Sequence, residues 1–379
     1  MLLPILHLFN DGYLAAMPLV LPFAAEEFSI PLSMIGLLGS LLSFSGIILA
    51  LPAGAAAARF GAVRLLSFAV LCYSIGFLLL GTAGGIAAIF AAFILGSIAF
   101  GIFHPIAFSA VAKESSSSQL GRNMGIFAAT GDIGRIAFAA AVTFIIGLTS
   151  WRFTSFLYGI AALFLFLFCF IYALRRNDGN KETASKSKKK LDYSILKKKA
   201  FELSNVASFL DSFANASLFI FIPFLLTFRG IDTAFIGVFT SVFFVGNLLG
   251  KVIMGRLTDR VKEEYLFIGC ECCIFIALII LALSPSAVII SLLALILGFF
   301  TKGTVPIVST MIAQSVGETE YEAAYSVNSL STSIANTLAP LFFGLLADIL
   351  GVQAIFSACG IAALLASIPA IVLVKTKNA

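Results

Sequence analysis

The stretch FTSFLYGIAALFLFLFCFIYAL, Phe153 to Leu174, carries no charged residue, and at Arg175 it gives way to RRNDGNKETASKSKKK. As a helix rising about 1.5 Å per residue it reaches about 33 Å, enough to cross a hydrocarbon layer of ~30 Å. A membrane β-strand would alternate apolar and polar side chains over roughly ten positions, and this stretch does not. Working outward, similar apolar blocks recur from end to end. The 379-residue chain is 60% hydrophobic and 11% charged, with a mean hydropathy of +1.07, whereas soluble domains sit near ~45–50% apolar and ~25% charged. The composition specifies a polytopic helical membrane protein. It excludes soluble enzymes, nucleic-acid binders and secreted disulfide scaffolds. The six cysteines, at 72, 169, 270, 272, 273 and 359, all lie in apolar segments, where Cys acts as a small hydrophobe. No disulfide, metal or cofactor is expected.

Apolar blocks and the polar or Gly/Pro-rich breaks between them predict twelve spans, near 2–25, 33–57, 64–82, 86–112, 122–147, 153–174, 202–227, 234–257, 264–284, 287–313, 323–346 and 352–374. The first stretch lacks a basic n-region and is interrupted by His7 and Asp11, so it reads as a retained span, not a cleaved signal. Starting directly in that span, the chain is expected to offer no N-terminal extension for regulation. Of 24 Lys and Arg residues, 19 fall on one side if both termini share a compartment, and only Arg152 and Arg229 fall on the other. The positive-inside rule then predicts cytoplasmic termini. Residues 176–200 read as a Lys-rich cytoplasmic linker, able to touch anionic lipid, between halves at 1–175 and 201–379.

The halves repeat. At an offset of 201, Ile35-Gly36 meets Ile236-Gly237, Ser40 meets Ser241, Gly54 meets Gly255, Arg59 meets Arg260, Pro22 meets Pro223, and Pro105 meets Pro306. Asp11 meets Asp211 at 200. Prolines and charges are scarce in apolar helices, so these coincidences carry weight. Parallel six-helix repeats are an organisation of secondary transporters. The segment Gly255-Arg-Leu-Thr-Asp259-Arg260 resembles the GxxxDR gating-loop core of the major facilitator superfamily. The equivalent loop after span 2 keeps Gly54 and Arg59 but has Ala58 where that core has Asp. The fold class expected is an all-α integral membrane protein with twelve transmembrane helices in two six-helix bundles.

Ionisable groups inside a bilayer are costly and mark function by default. Here they are His7 and Asp11 (span 1), His104 (span 4), Asp132 and Arg135 (span 5), Asp211 (span 7), Lys251 (span 8) and Lys302 (span 10). Glu271 of span 9 is expected to orient toward the cytoplasmic interface. In the fold that the resemblance implies, spans 1, 4, 7 and 10 line the central cavity, with 5 and 8 beside it. His7 and Asp11 share a helix face at i,i+4, as do Asp132 and Arg135 at i,i+3. Asp132 and Arg135 read either as a neutralised pair or as part of a polar pathway, and Lys251 as a cavity or a gating-loop residue. His104 and the carboxylates suit proton carriage; Arg135, Lys251 and Lys302 suit an anionic substrate. Pro105 and Pro306 each remove a helix hydrogen bond and read as hinges. Gly246-Asn-Leu-Leu-Gly250-Lys251 lacks the spacing of a phosphate-binding loop, so an ion gradient and not ATP should drive transport.

His7-Leu-Phe-Asn10-Asp11-Gly12, Gly101-Ile-Phe103-His104-Pro105 and Arg122-Asn-Met-Gly125-Ile-Phe127 resemble the fosmidomycin-resistance group of major facilitators. That resemblance implies a proton-coupled exporter of a small phosphonate-like or drug-like compound in a bacterial inner membrane, with Asp11, His104 and Asp132 in the coupling or binding region. No Pro follows Gly134, unlike the fifth helix of antiporters, so proton symport of an organic anion stays open beside antiport. Thr130-Gly131-Asp132 also matches half of the Gly-x-Gly-Asp element of intramembrane aspartyl proteases, a remote alternative to a non-enzymatic reading. The partners expected are a small solute, a proton and lipid, with no nucleic acid, and the chain is expected to be a monomer.

Overall fold

A computed structural model describes residues 2–115, 120–175, 193–284 and 286–378. Residues 176–192, most of the Lys-rich linker, lie outside the described residues, as does the side chain of Ala58. The helices are α1 (Leu2–Phe28), α2 (Leu32–Phe60), α3 (Ala62–Gly81), α4 (Ile86–Glu114), α5 (Leu120–Leu148), α6 (Trp151–Arg175), α7 (Lys199–Asn215), α8 (Leu218–Phe228), α9 (Thr233–Leu257), α10 (Glu263–Leu283), α11 (Ala287–Gln314), α12 (Tyr321–Leu350) and α13 (Val352–Asn378). Two short 3₁₀ turns cover Tyr193–Lys197 and Glu318–Glu320, and the described residues contain no strand.

Twelve segments among the described residues are long and apolar enough to cross a membrane. The seventh is Lys199–Phe228, which α7 and α8 share. Its interruption at Ala216 and Ser217 is a turn that does not reverse the chain, because both residues keep right-handed backbone angles (φ −61, ψ −30 and φ −87, ψ −17). The narrow breaks expected around residues 81–85 and 284–286 are both present.

The second and third helices meet differently from the expected loop. Ala-rich sequence is strongly helix-forming, so α2 runs through Gly54 and Arg59 to Phe60. The whole connection is then Gly61, at φ +91, a backbone angle that glycine adopts without strain. Gly54 and Arg59 are therefore helical residues, not loop residues. In the second half the expected turn exists: α9 ends at Leu257, just after Gly255, and Asp259 and Arg260 lie in the turn before α10. Pro105 and Pro306 sit inside α4 and α11, which continue through them.

Helix pairing reproduces the sequence repeat in part, since the extensive α7–α13 contact of the second half has only a slight counterpart between α1 and α6. In the first half α1 packs on α5, α3 on α6 and α4, and α4 on α1. In the second half α7 packs on α12, α10 on α13 and α11, and α11 on α7. Each pair is the counterpart of one in the other half. The chain divides into two compact units that exchange two short segments: residues 32–40 belong with 188–231 and 242–379, whereas 232–241 belong with 1–31 and 41–187. In the second unit Gly36 lies against the Pro340 carbonyl, and the Ser33 N–H at the start of α2 donates to the Asp348 carboxylate at 3.2 and 3.3 Å.

The packing is that of a lipid-immersed protein. On α6, Phe164 and Phe168 are 68% and 62% exposed while Thr154, Ser155 and Gly159 are buried. Small and polar residues let helices approach closely where lipid is as apolar as any side chain. Accordingly the Ser74 hydroxyl of α3 donates to the Gly159 carbonyl at 2.8 Å, and a Cβ on Gly159 would stand 2.7 Å from Leu78.

Candidate functional site

In the first unit, three helices bring their polar residues to one buried point. Asp11 of α1 is 2% exposed and stands at its centre. The neighbouring Asn10 amide donates to Asp11 Oδ1 at 3.0 Å. Arg135 Nη2, from α5, donates to Asp11 Oδ2 at 2.7 Å, within the range of a charge-assisted bond. His104 of α4 reaches Asp11 Oδ1 through Nε2 at 3.2 Å. His7, one turn before Asp11, places Nε2 3.4 Å from Oδ2.

The other nitrogen of His7 is fixed. Nδ1 lies 2.7 Å from the Phe127 carbonyl oxygen; a carbonyl only accepts, so Nδ1 carries the proton. The imidazole stacks on the Phe127 ring at 4.1 Å between centroids and, more distantly, on Phe103 at 5.8 Å. Its Nε2 is sealed from solvent and receives no hydrogen bond. Room for this arrangement comes from Gly131 of α5: a Cβ there would meet His7 Cε1 at 2.6 Å and Asp11 Oδ2 at 2.7 Å. Asp132 completes the cluster 3.6 Å from Arg135 Nη1. The i,i+3 pair of α5 is thus looser than the long-range pair with Asp11, and Arg135 bridges two carboxylates.

The second unit holds a different constellation. Asp211 of α7 accepts hydrogen bonds from Asn215 at 2.6 Å and from the Thr304 hydroxyl of α11 at 3.2 Å. It borders a cavity of about 250 Å³ lined by Asn215, Lys302, Asn328, Thr332 and Asn336 among others. Asn328 is itself oriented by Asn205, whose carbonyl accepts its amide at 3.1 Å. Lys251 does not line this cavity.

Glu271 corrects an expectation. It is 0% exposed and its carboxyl faces that of Asp211 from α7. Lying within α10 on its packed side, it turns inward and not toward an interface.

Three kinds of site residue escape a reading based on charge alone. Gly131 and the Phe127 carbonyl have no charge to notice. Asn215 and Thr304 differ in character from their apolar surroundings but not in ionisation. Asn328, Thr332 and Asn336 carried a signal: spaced by four along α12, they draw a polar stripe down one face.

Twelve apolar spans, a partly repeated helix pairing, and polar clusters enclosed in otherwise apolar units are the organisation of a multi-pass membrane transporter. The chain belongs to the Major Facilitator Superfamily, whose family model matches residues 5–206 and 204–379. It is similar in structure to a bacterial homologue of the human lysosomal transporter Spinster, in its inward-facing and occupied conformation, with a TM-score of 0.81, 15% identity, and coverage of 99% of this chain and 96% of that one. The nucleoside transporter NupG aligns with a TM-score of 0.80 at 14% identity over 98% of both chains. A peptide transporter POT, in complex with sulfate, aligns with a TM-score of 0.75 at 14% identity over 99% of this chain and 94% of that one. No curated protein matches the sequence. Membership of a transporter family removes the ground for the protease reading of Asp132.

Proposed function

We propose that the protein is a proton-coupled secondary active transporter of a small organic anion, working by alternating access, with Asp11, His7, His104, Asp132 and Arg135 as the coupling centre. The observation that carries this reading is the buried Arg135–Asp11 contact at 2.7 Å. While Asp11 is charged, it holds the guanidinium that an anion would need. Protonating Asp11 removes its charge, weakens that hold, and frees Arg135 for an incoming carboxylate or phosphonate. His7 and His104, each facing one Asp11 oxygen, are the groups able to pass the proton on. Lys302 and the amides around the second unit's cavity supply a second polar surface for the solute. Asp211 would tune Lys302, and Lys251 would act near the turn containing Asp259 and Arg260. Rocking would draw on Pro105 and Pro306, with Gly54, Arg59 and Gly255 at the gates.

On this logic the proton and the anion load together, which is symport, and an inward proton gradient then drives import. The rival is drug export by antiport. It is supported by the resemblance of His7–Gly12 and Gly101–Pro105 to the fosmidomycin-resistance group. The proposed location is a bacterial inner membrane with both termini cytoplasmic, supported by 19 Lys and Arg residues toward one side of the spans against two toward the other. The protein would act as a monomer.

Proteoliposomes containing a pH-sensitive dye test this directly, using fosmidomycin, simple phosphonates and carboxylates as solutes. Symport predicts proton movement in the same direction as the solute, and antiport predicts the opposite sign. Asp11→Asn should abolish the solute-dependent proton flux in either case. A flux that is indifferent to both Asp11→Asn and a protonophore would sink proton coupling at this centre.

A further inference from the structure

We infer that His7, His104 and Asp11 form a binding site for a first-row transition-metal dication, with Zn²⁺ the best match to the ligand set. This departs from the sequence, in which no metal was expected. The ligand atoms of the three residues all lie within 4.8 Å of one another. In a tetrahedral zinc site with bonds of about 2.0–2.1 Å, neighbouring ligand atoms are about 3.3–3.5 Å apart. His7 Nε2 to Asp11 Oδ2 is 3.4 Å, and His104 Nε2 to Asp11 Oδ1 is 3.2 Å. Each imidazole stands near ligand spacing from a different oxygen of Asp11, so both carboxylate oxygens would face the ion; the His104 contact is also within hydrogen-bond range.

The surroundings of His7 point the same way. Metal-binding histidines as a rule donate their second ring N–H to a carbonyl or carboxylate, which fixes the tautomer and aims the free nitrogen at the ion. His7 does this: Nδ1 donates to Phe127 O at 2.7 Å, and Nε2, on a residue only 3% exposed, is left without a hydrogen-bond partner. Stacking on Phe127 holds the ring plane. Two imidazoles and one carboxylate form a donor set used for Zn²⁺ and Fe²⁺, and leave a coordination position for water or solute.

Arg135 is the opposing charge. It occupies Asp11 Oδ2 at 2.7 Å, but Asp132 stands 3.6 Å from its other nitrogen. A metal on the His7 side displaces the guanidinium toward Asp132. That exchange makes the site a reversible one, weaker than a closed structural zinc site.

The test needs no transport assay, so its failure leaves the proton-coupled reading untouched, and the reverse also holds. Protein purified in detergent without a polyhistidine tag is titrated with Co²⁺, followed through its visible d–d absorption, and then with Zn²⁺ as competitor. The expected result is one saturable Co²⁺ per chain, displaced by Zn²⁺. His7→Gln and His104→Gln should each weaken it at least about tenfold, the lower end of what loss of a supporting contact alone costs. No saturable uptake by the wild type, or equal affinity in a His7→Gln/His104→Gln double variant, overturns the site. Should a variant misfold, X-ray absorption of the Zn²⁺-loaded wild type decides. Two imidazoles near about 2.0 Å support the site, and a shell without imidazole overturns it.

Discussion

Gly131 concentrates the chemistry of the first unit into one missing methyl group. A Cβ there would press on the His7 ring at 2.6 Å and on Asp11 Oδ2 at 2.7 Å, and neither can yield easily, because His7 is held by Phe127 O and Asp11 by Arg135. Gly131→Ala is expected to cost about 1–3 kcal/mol, as overpacking does, and to stop solute-dependent proton flux. Gly147, on the same helix, is exposed, and a Cβ there would meet nothing within 4 Å. Gly147→Ala should leave flux intact and raise stability by up to ~1 kcal/mol, because Ala loses less backbone entropy in a helix. Thermal unfolding and flux on the two variants check both expectations. Equal tolerance would mean that His7 and Asp11 do not need the packing seen here. The charges at this site were legible from sequence, since ionisable residues stand out in apolar spans. The glycine and the carbonyl that position them were not, because each acts through shape or backbone, which charge patterns do not register.

At the scale of the helices, the spans and their order were legible because lipid demands long apolar runs, and the repeat was legible because prolines and charges recur at one offset. Rotation about each helix axis was not. Glu271 shows why: α10 is apolar almost all round, so no polar stripe fixes which side faces inward. The structure turns Glu271 fully into the protein. An isosteric amide there keeps the volume and cannot ionise, whereas an alanine empties the space the side chain fills. Glu271→Gln should therefore fold with unchanged or raised Tm. Glu271→Ala leaves a cavity while also removing a buried carboxyl, so its Tm should fall below that of Glu271→Gln. Scanning fluorimetry in detergent separates these outcomes. A Tm for Glu271→Ala at or above that of Glu271→Gln would show that the volume of the side chain is not needed there. The joint between α2 and α3 was missed for a related reason. Ala-rich sequence continues a helix until Gly61, and a loop motif read by its letters does not override that propensity.

Across the whole molecule the two halves share most of their helix pairings but not their chemistry. The first unit ties its guanidinium to two carboxylates, one of which two imidazoles also face, whereas the second presents Lys302, Asp211 and a row of amides around a cavity of about 250 Å³. Asp11 and Asp211 occupy matching places in the sequence repeat, yet one meets Arg135 and the other Asn215 and Thr304. On the proposed reading, this divergence would place proton coupling and the Arg135 anion contact in the first half, and further solute contacts in the second. If that division holds, Lys302→Ala should raise the KM for anionic solutes roughly tenfold or more, the loss of one charge-assisted contact worth about 1.5–3 kcal/mol. The number of protons moved per solute should stay the same. Asp11→Asn should do the reverse, allowing solute to exchange down its own gradient while proton movement disappears. Parallel measurement of solute and proton fluxes in one liposome preparation gives both quantities. A changed proton-to-solute ratio in Lys302→Ala, with KM unaltered, would show that coupling is shared by both halves and that the asymmetry of charge does not divide their labour.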